Sequence, residues 1–318
     1  MSRPYSCRQS HMPVAHRVAR WLAARGVPGA RYYWGAAERI TPLAAEVAVT
    51  LPGGVTVPID TADWMATNIY RGLYERAEVH VVARLLDVGD TVIDVGANIG
   101  LYSVVAAHAV GGTGRVVAYE PLPETHRLLA ATIERHRLAQ VEPVPAAATD
   151  VDGPIELRLA SDAAHTGLAT LRELGPPDGY TVHVIDGERL DTRFGEDRVD
   201  EIALLKIDAE GAEGQVLRGA RDLLDAGAVR ALLFELAPSF PTTVDLLVEL
   251  ERLADDYAFF VLVERGVPRT PRLVPSTVSG LRDLDDDRNI LALRRRDAAA
   301  LVARATGRRP RRRGSLSS

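Results

Sequence analysis

Residues 90–103 constrain the fold more than any other stretch: Asp90-Thr-Val-Ile-Asp-Val-Gly-Ala-Asn-Ile-Gly-Leu-Tyr-Ser103. Residues 91–95 are apolar and mostly β-branched apart from Asp94, as expected of a strand buried in a parallel sheet. Gly96-Ala97-Asn98-Ile-Gly100 follows, and residues 101–110 are helix formers with apolar faces. A strand, a glycine-rich turn and a helix in that order make a cradle of the kind that holds nucleotides. The glycines let a ligand approach the backbone closely, and the helix N-terminus offers free N–H groups.

Two ligand classes use such a turn. A dinucleotide favours G-x-G-x-x-G, with backbone amides facing its pyrophosphate. This turn reads D-x-G-x-N-x-G, and its leading carboxylate would repel a pyrophosphate. It suits a cation instead, such as the sulfonium and ammonium of S-adenosylmethionine. The next strand, residues 115–119, is followed by Glu120, an acid placed to accept both ribose hydroxyls of either cofactor. Together Asp94, Asn98 and Glu120 favour S-adenosylmethionine.

The 318 residues suffice for one large domain or for one domain with an appendage. A hydrophobic content of 47% and a charged content of 25% fit a globular protein. Aromatic residues make up only 5%, which disfavours a base-stacking surface, and the net charge of −5 argues against a globally basic nucleic-acid binder. Cys7 stands alone, so neither an intrachain disulfide nor a cysteine-rich zinc site is available. No apolar run is long enough to span a bilayer, and the first 25 residues carry arginines without a signal-peptide core. These features read as a cytoplasmic enzyme.

In chain order, residues 14–25 have helical spacing, with Val14, Val18, Trp21 and Leu22 on one side. A membrane-surface helix is compatible with this, but packing of that side on the domain or a partner is favoured. Residues 46–51 and 55–59 flank Pro52-Gly53-Gly54 and read as a β-hairpin. Residues 63–86 are one or two helices, in which Trp64, Asn68, Tyr70, Tyr74 and Glu75 are candidates to roof the cofactor. A helix is expected over 121–137, a third strand over 141–148, and a sheet-edge strand over 155–159. His165 lies in a loop of small residues, where a near-neutral pKa would suit a general base.

Residues 201–208, Glu-Ile-Ala-Leu-Leu-Lys-Ile-Asp, form the fourth strand. Alternation places Lys206 and Asp208 on one face. A buried lysine needs a carboxylate, and Asp208, Glu210 and Glu213 are near in sequence. A helix follows over 209–224, then a fifth strand over 230–236 carrying Glu235. Asp94, Glu120, Asp208 and Glu235 therefore sit at the carboxyl ends of successive strands, where ligands of open α/β sheets bind. A helix over 242–256, strands over 257–264 and 289–294, and a Pro-rich loop over 267–287 complete the domain. Residues 298–318 hold six arginines and no acids, and read as a flexible, solvated basic tail.

Residues 91–100, Tyr119-Glu-Pro121 and Leu205-Lys-Ile-Asp-Ala-Glu-Gly-Ala-Glu213 together resemble the FkbM family of S-adenosylmethionine-dependent methyltransferases. Residues 69–75 and 232–236 resemble it too, and the likeness covers about 64–293. Ala209, where the family usually has valine, is a mild departure. The resemblance implies an α/β fold: a doubly wound, Rossmann-like, seven-stranded sheet of order 3-2-1-4-5-7-6, here with an N-terminal helix and hairpin extension. It divides the chain into an extension (1–62), a methyltransferase domain (63–297) and the tail (298–318). It further implies methylation of an oxygen, often a hydroxyl of a sugar or a polyketide-type natural product.

The candidate cofactor-binding residues are Asp94, Gly96, Ala97, Asn98, Gly100, Ser103, Glu120 and Pro121, with Tyr74 and Glu75 as the roof. An alcohol must lose its proton during transfer, which calls for a base or a metal. Asp208 is the first candidate base and His165 the second. Lys206 would hold Asp208 ionised or anchor a substrate, and Glu210 and Glu235 would face the substrate. A divalent metal on Asp208, Glu210 or Glu235 is chemically admissible, but no ligand spacing indicates one. The expected partner is a small-molecule hydroxyl acceptor, with neither membrane nor nucleic acid. A homodimer is compatible with the chain. Competing readings are a dinucleotide oxidoreductase and a non-catalytic cofactor-binding subunit.

Overall fold

The structure, a computed structural model, describes residues 12–51, 54–62, 64–160, 169–170, 180–196, 201–265 and 270–307. The chain opens with α1 (Val14–Ala24), α2 (Ala30–Ile40), the hairpin β1 (Glu46–Thr50) and β2 (Thr56–Asp60), then α3 (Trp64–Arg71) and α4 (Arg76–Leu85). The turn unit follows as β3 (Thr91–Val95), α5 (Leu101–Val110) and β4 (Arg115–Tyr119), then α6 (Pro123–His136) and β5 (Val141–Val144). Next come β6 (Ala146–Ala148), β7 (Gly153–Ala160), β8 (Ala169–Thr170), β9 (Tyr180–Glu188) and α7 (Leu190–Glu196). The second half holds β10 (Leu204–Ile207), α8 (Glu213–Gly219), α9 (Arg221–Asp225), β11 (Ala231–Leu236) and α10 (Thr243–Arg252). It ends with β12 (Tyr257–Arg265), β13 (Thr270–Ser276), α11 (Val278–Arg282), β14 (Arg288–Arg294) and α12 (Arg295–Ala305).

The main sheet runs β5-β4-β3-β10-β11-β14-β12-β13. Its first seven positions reproduce the expected 3-2-1-4-5-7-6 order. β14 is antiparallel to both its neighbours, while β3, β4, β5, β10 and β11 are mutually parallel. The sheet separates two apolar layers. Val92 and Leu204 point into one with Val81, Val104 and Leu129, whereas Ile93 and Leu205 point into the other with Val216 and Leu250. Strands buried on both faces are what the near-continuous apolar runs require.

Several expectations give way. Residues 267–287 are not one loop, because β13 adds an eighth strand there. Its Pro271 and Pro275 are tolerated because the strand lies at the edge, where missing donors cost little. The third strand breaks at Pro145, and β6 leaves the main sheet to pair with β9. The strand expected at that sheet's edge, β7, belongs instead to the separate sheet β6-β9-β7-β8. The helix expected from 209 begins at Glu213 and is interrupted after Gly219, where a Cβ would lie 1.9 Å from the Thr149 carbonyl oxygen.

At the two ends, α1 inverts the expected face. His16, Ala19 and Ala23 are buried while Val14, Val18 and Trp21 are exposed. His16 is drawn inward by Tyr70, whose hydroxyl lies 2.8 Å from its Nδ1. The tail expected to be flexible from Ala298 is helical to Ala305, and Arg304 holds the carbonyls of Arg84 and Leu86. Among the described residues no helix is long and apolar enough to cross a membrane.

Candidate functional site

The site grows from the register of two neighbouring strands. β3 and β10 are paired so that Asp94 lies beside Lys206. Parallel partners share a face, so the ammonium meets that carboxylate, at 3.3 Å. Asp94 is buried and also accepts a hydrogen bond from the Ser103 hydroxyl at 2.6 Å. Lys206 Nζ donates to the carbonyls of Val95 (3.1 Å) and Gly96 (2.9 Å), and lies over the Tyr102 ring at 5.0 Å. Burial opposes its charge, but Asp94, Asp208 and Glu75 outweigh burial and hold the ammonium above its ordinary pKa. Lys206 is thus a brace for the glycine turn. Its nearer carboxylate is Asp94 on the neighbouring strand, whereas Asp208, the sequence-near candidate, is at 3.7 Å.

The turn itself is tight. Gly96 has φ +69°, and a Cβ there would lie 1.9 Å from the Asp208 carbonyl oxygen. The ends of β3 and β10 therefore touch, which brings Asp208 against the turn. Asp208 N donates to the Val95 carbonyl at 3.1 Å. Glu120, just past β4, accepts from Asn98 N through Oε2 and from Leu122 N through Oε1, both at 2.9 Å. Burial pushes it up to about 7 against those two hydrogen bonds. Ala97 N donates to the Tyr119 carbonyl, tying the turn to β4. Asn98 Oδ1 is buried and has no hydrogen-bond partner.

Four non-glycine residues have positive φ among those described, and Glu75 (40°), Asn98 (48°) and Glu210 (48°) are three of them. Backbone held in that region is costly and tends to gather at functional sites. These three surround the same carboxylate cluster. Burial, then Asp208, raises Glu75 to about 8, although the Tyr102 hydroxyl donates to it at 2.7 Å. Burial, then Asp208 and Glu235, raises Glu210 to about 9. Glu235 rises to about 7 by burial and then Asp208. Tyr74 is raised by burial and by Glu75, Asp208, Glu235 and Glu210, so it faces the same cluster. Lys206 lowers Glu75, Glu210 and Glu235.

These shifts have a sign. A carboxylate whose folded pKa is raised carries a proton that the unfolded chain has already lost, so stability declines as pH rises through that interval. For Glu75 and Glu210 the interval runs from the ordinary 4.5 to about 8 and about 9. The melting temperature of the ligand-free protein is therefore expected to fall across this range, and Glu210→Gln should flatten the decline. Thermal scans of both proteins at a series of pH values check this; parallel curves would contradict it.

The expected set is largely brought together: Asp94, Gly96, Ala97, Asn98, Gly100, Ser103, Glu120, Tyr74, Glu75, Lys206, Asp208, Glu210 and Glu235 line or brace one edge. Asn68 and Tyr70 are not part of it. Asn68 donates to the Trp64 carbonyl, and Tyr70 packs with His16 and Trp34. His165 lies outside the described residues. Trp64 stands 63% exposed, edge-on to Tyr74. Pro121 lines a cavity of about 340 Å³ with Pro123, His126, Pro145 and Ile185. Sequence reasoning passed over His126, whose Nε2 is buried without a partner, and Tyr102, the second residue of α5. Glu213, read as a partner for Lys206, instead accepts from Ala209 N and Gly211 N and closes the turn that carries Glu210. Among the described residues no group of three or more His, Cys, Asp or Glu is arranged to hold a metal ion.

The family described as the methyltransferase FkbM domain matches residues 94–257, from the Asp94 of the turn to the first residue of β12. A curated relative, 31-O-demethyl-FK506 methyltransferase FkbM of Streptomyces tacrolimicus, is 33% identical over 54% of this chain and 75% of its own length. Among solved structures, methyltransferase FkbM of Methylobacillus flagellatus is 18% identical with a TM-score of 0.39, over 72% of this chain and 55% of that one. The O-methyltransferase TomG of Streptomyces achromogenes is 14% identical with a TM-score of 0.38, over 69% and 78%. The matched segment holds the glycine turn, Glu120, the Lys206–Asp94 pair and the Asp208–Glu213 turn, and this chain belongs to the FkbM methyltransferase family.

Proposed function

We propose that the protein transfers a methyl group from S-adenosylmethionine to a hydroxyl of a small molecule, a sugar or natural-product intermediate, in the cytoplasm. The observation that carries this reading is the crowding of carboxyl groups at the carboxyl edge of the sheet, a strain that a cation relieves. Glu75, Asp94, Glu120, Asp208, Glu210 and Glu235 gather around a glycine turn, and the single lysine among them is turned into the Val95 and Gly96 carbonyls. Such a cluster favours a ligand bearing positive charge. It opposes a pyrophosphate.

The residues present fit that cofactor. Asn98 Oδ1 is a buried acceptor in want of a donor, and each Glu120 oxygen, having taken one backbone N–H, keeps acceptor capacity for a ribose hydroxyl. His126 offers an unpartnered ring nitrogen beside the cavity at Pro121. When bound, S-adenosylmethionine supplies a methyl carbon activated by the sulfonium. The chain aligns the acceptor and takes its proton; alignment accounts for much of the acceleration of a displacement. Asp208, 28% exposed at its side chain and seated against the turn, is the base that receives the hydroxyl proton. The relative named for 31-O-demethyl-FK506 supports oxygen as the accepting atom.

Calorimetric titration tests the assignment. S-adenosylmethionine or S-adenosylhomocysteine is expected to bind and NAD is not. Glu120→Ala should weaken binding by about 1.5–3 kcal/mol for each hydrogen bond lost from a charged acceptor. Unchanged affinity in that variant would remove Glu120 from the cofactor site, and tight NAD binding would overturn the reading.

A further inference from the structure

Helix α1 shows solvent the stripe that its sequence offers for burial. Val14, Val18 and Trp21 share one side of the helix, and Trp21 is 52% exposed. α2, packed beside it, leaves Tyr32 and Ile40 exposed by 68% and 74%. Among the described residues outside α1 and α2, the large apolar side chains left exposed are Trp64, Leu73 and valines. Scattered valines need no explanation, but a tryptophan, a tyrosine and an isoleucine exposed on two helices packed together, beside the Val14–Val18–Trp21 stripe, mark a surface that something covers.

Charge identifies the occupant. No Asp or Glu precedes Glu38, whereas Arg3, Arg8, Arg17, Arg20, Arg25 and Arg31 do, in a protein whose net charge is −5. Glu38 itself is taken by Arg71 at 2.6 Å. Arg25 lies over the Trp21 ring at 3.7 Å, so cation and indole occupy the same side of the helix. A short apolar stripe with tryptophan, rimmed by arginine and free of acids, has the composition of a helix that lies in the interface of an anionic bilayer. A second copy of this chain is a poorer occupant, because an isologous contact would set these arginines against one another.

We infer that the α1–α2 face docks on anionic lipid headgroups, with Val14, Val18 and Trp21 entering the interface. This departs from the expectation that no membrane is involved, and it arises because the structure turns outward a stripe expected to pack on the domain. Hydrogen bonds tie the face to the segment that carries Glu75. Arg76 donates to the Ala23 carbonyl at 2.6 Å and to that of Ala24, and follows Glu75 directly, while Arg20 donates to the Tyr70 carbonyl at 2.8 Å.

The full chain is floated through a density gradient with vesicles of phosphatidylcholine alone, and with vesicles of phosphatidylcholine mixed with phosphatidylglycerol. Flotation is expected with the mixed vesicles only, and salt should weaken it. Trp21→Ser, and separately the pair Arg17→Glu and Arg25→Glu, should each lower the bound fraction roughly tenfold at an unchanged melting temperature. The arginines at 308–313 could seek the same lipids, so a chain lacking 308–318 is the control and should retain most of the binding. Loss of flotation in that control, with Trp21→Ser still bound, overturns the inference. So does an absence of flotation, or equal flotation with both vesicle types. Concentration-dependent self-association abolished by Trp21→Ser would assign the face to a second copy and overturn it as well.

Discussion

Asp208→Asn is expected to lower turnover by about 100-fold or more, with affinity for S-adenosylmethionine and the melting temperature close to those of the parent protein. Asparagine keeps the shape of the side chain and removes its basicity. The alternative role for Asp208, neutralising Lys206, makes a different prediction, and the geometry separates the two. Lys206 has Asp94 at 3.3 Å and two carbonyl oxygens at 2.9 and 3.1 Å, while Asp208 stands at 3.7 Å and is 28% exposed. Losing Asp208 therefore leaves the ammonium paired. Single-turnover rate and melting temperature measured on one sample decide the matter. A variant that still transfers methyl groups but melts much earlier would remove Asp208 as the base and move His165 forward.

The strand-turn-helix at 91–110 was legible because its signals are local: β-branched residues, then glycines at positive φ, then helix formers. Glu120 was legible for the same reason, as an acid placed just after a strand. What depends on pairing was not. That Lys206 answers Asp94 follows from the β3–β10 register, which no sequence neighbour reveals. Pro145 and Pro271 are the same residue type with opposite consequences: one breaks a strand out of the main sheet, and the other sits in an edge strand that can spare the donor. Periodicity also gave the two faces of α1 without saying which one packs. Small residues and His16 went inward, where the Tyr70 hydroxyl meets His16. Tyr102 escaped notice because a tyrosine early in a helix is ordinary until Glu75 is found at 2.7 Å from its hydroxyl.

Lys206→Met is expected to destabilise the fold by about 3–5 kcal/mol, the cost of leaving a buried charge without its partner. Methionine preserves most of the lysine stem, so packing changes little and the loss reports on charge. The orphaned group would be Asp94, which is 1% exposed and keeps only the Ser103 hydroxyl. Removing that charge as well should restore stability, because a buried pair replaced at both ends is often nearly neutral. The double variant Lys206→Met, Asp94→Asn is therefore expected to recover part of the loss, and Lys206→Met, Asp208→Asn is not. Chemical denaturation of the parent, the single and both double variants measures these couplings directly. Recovery by the Asp208 double instead of the Asp94 double would mean that the lysine is paired within its own strand. The glycine turn would then lack its electrostatic brace from β10. Recovery by the Asp94 double would show that the chief electrostatic task of the ammonium is to neutralise Asp94 across the β3–β10 pair.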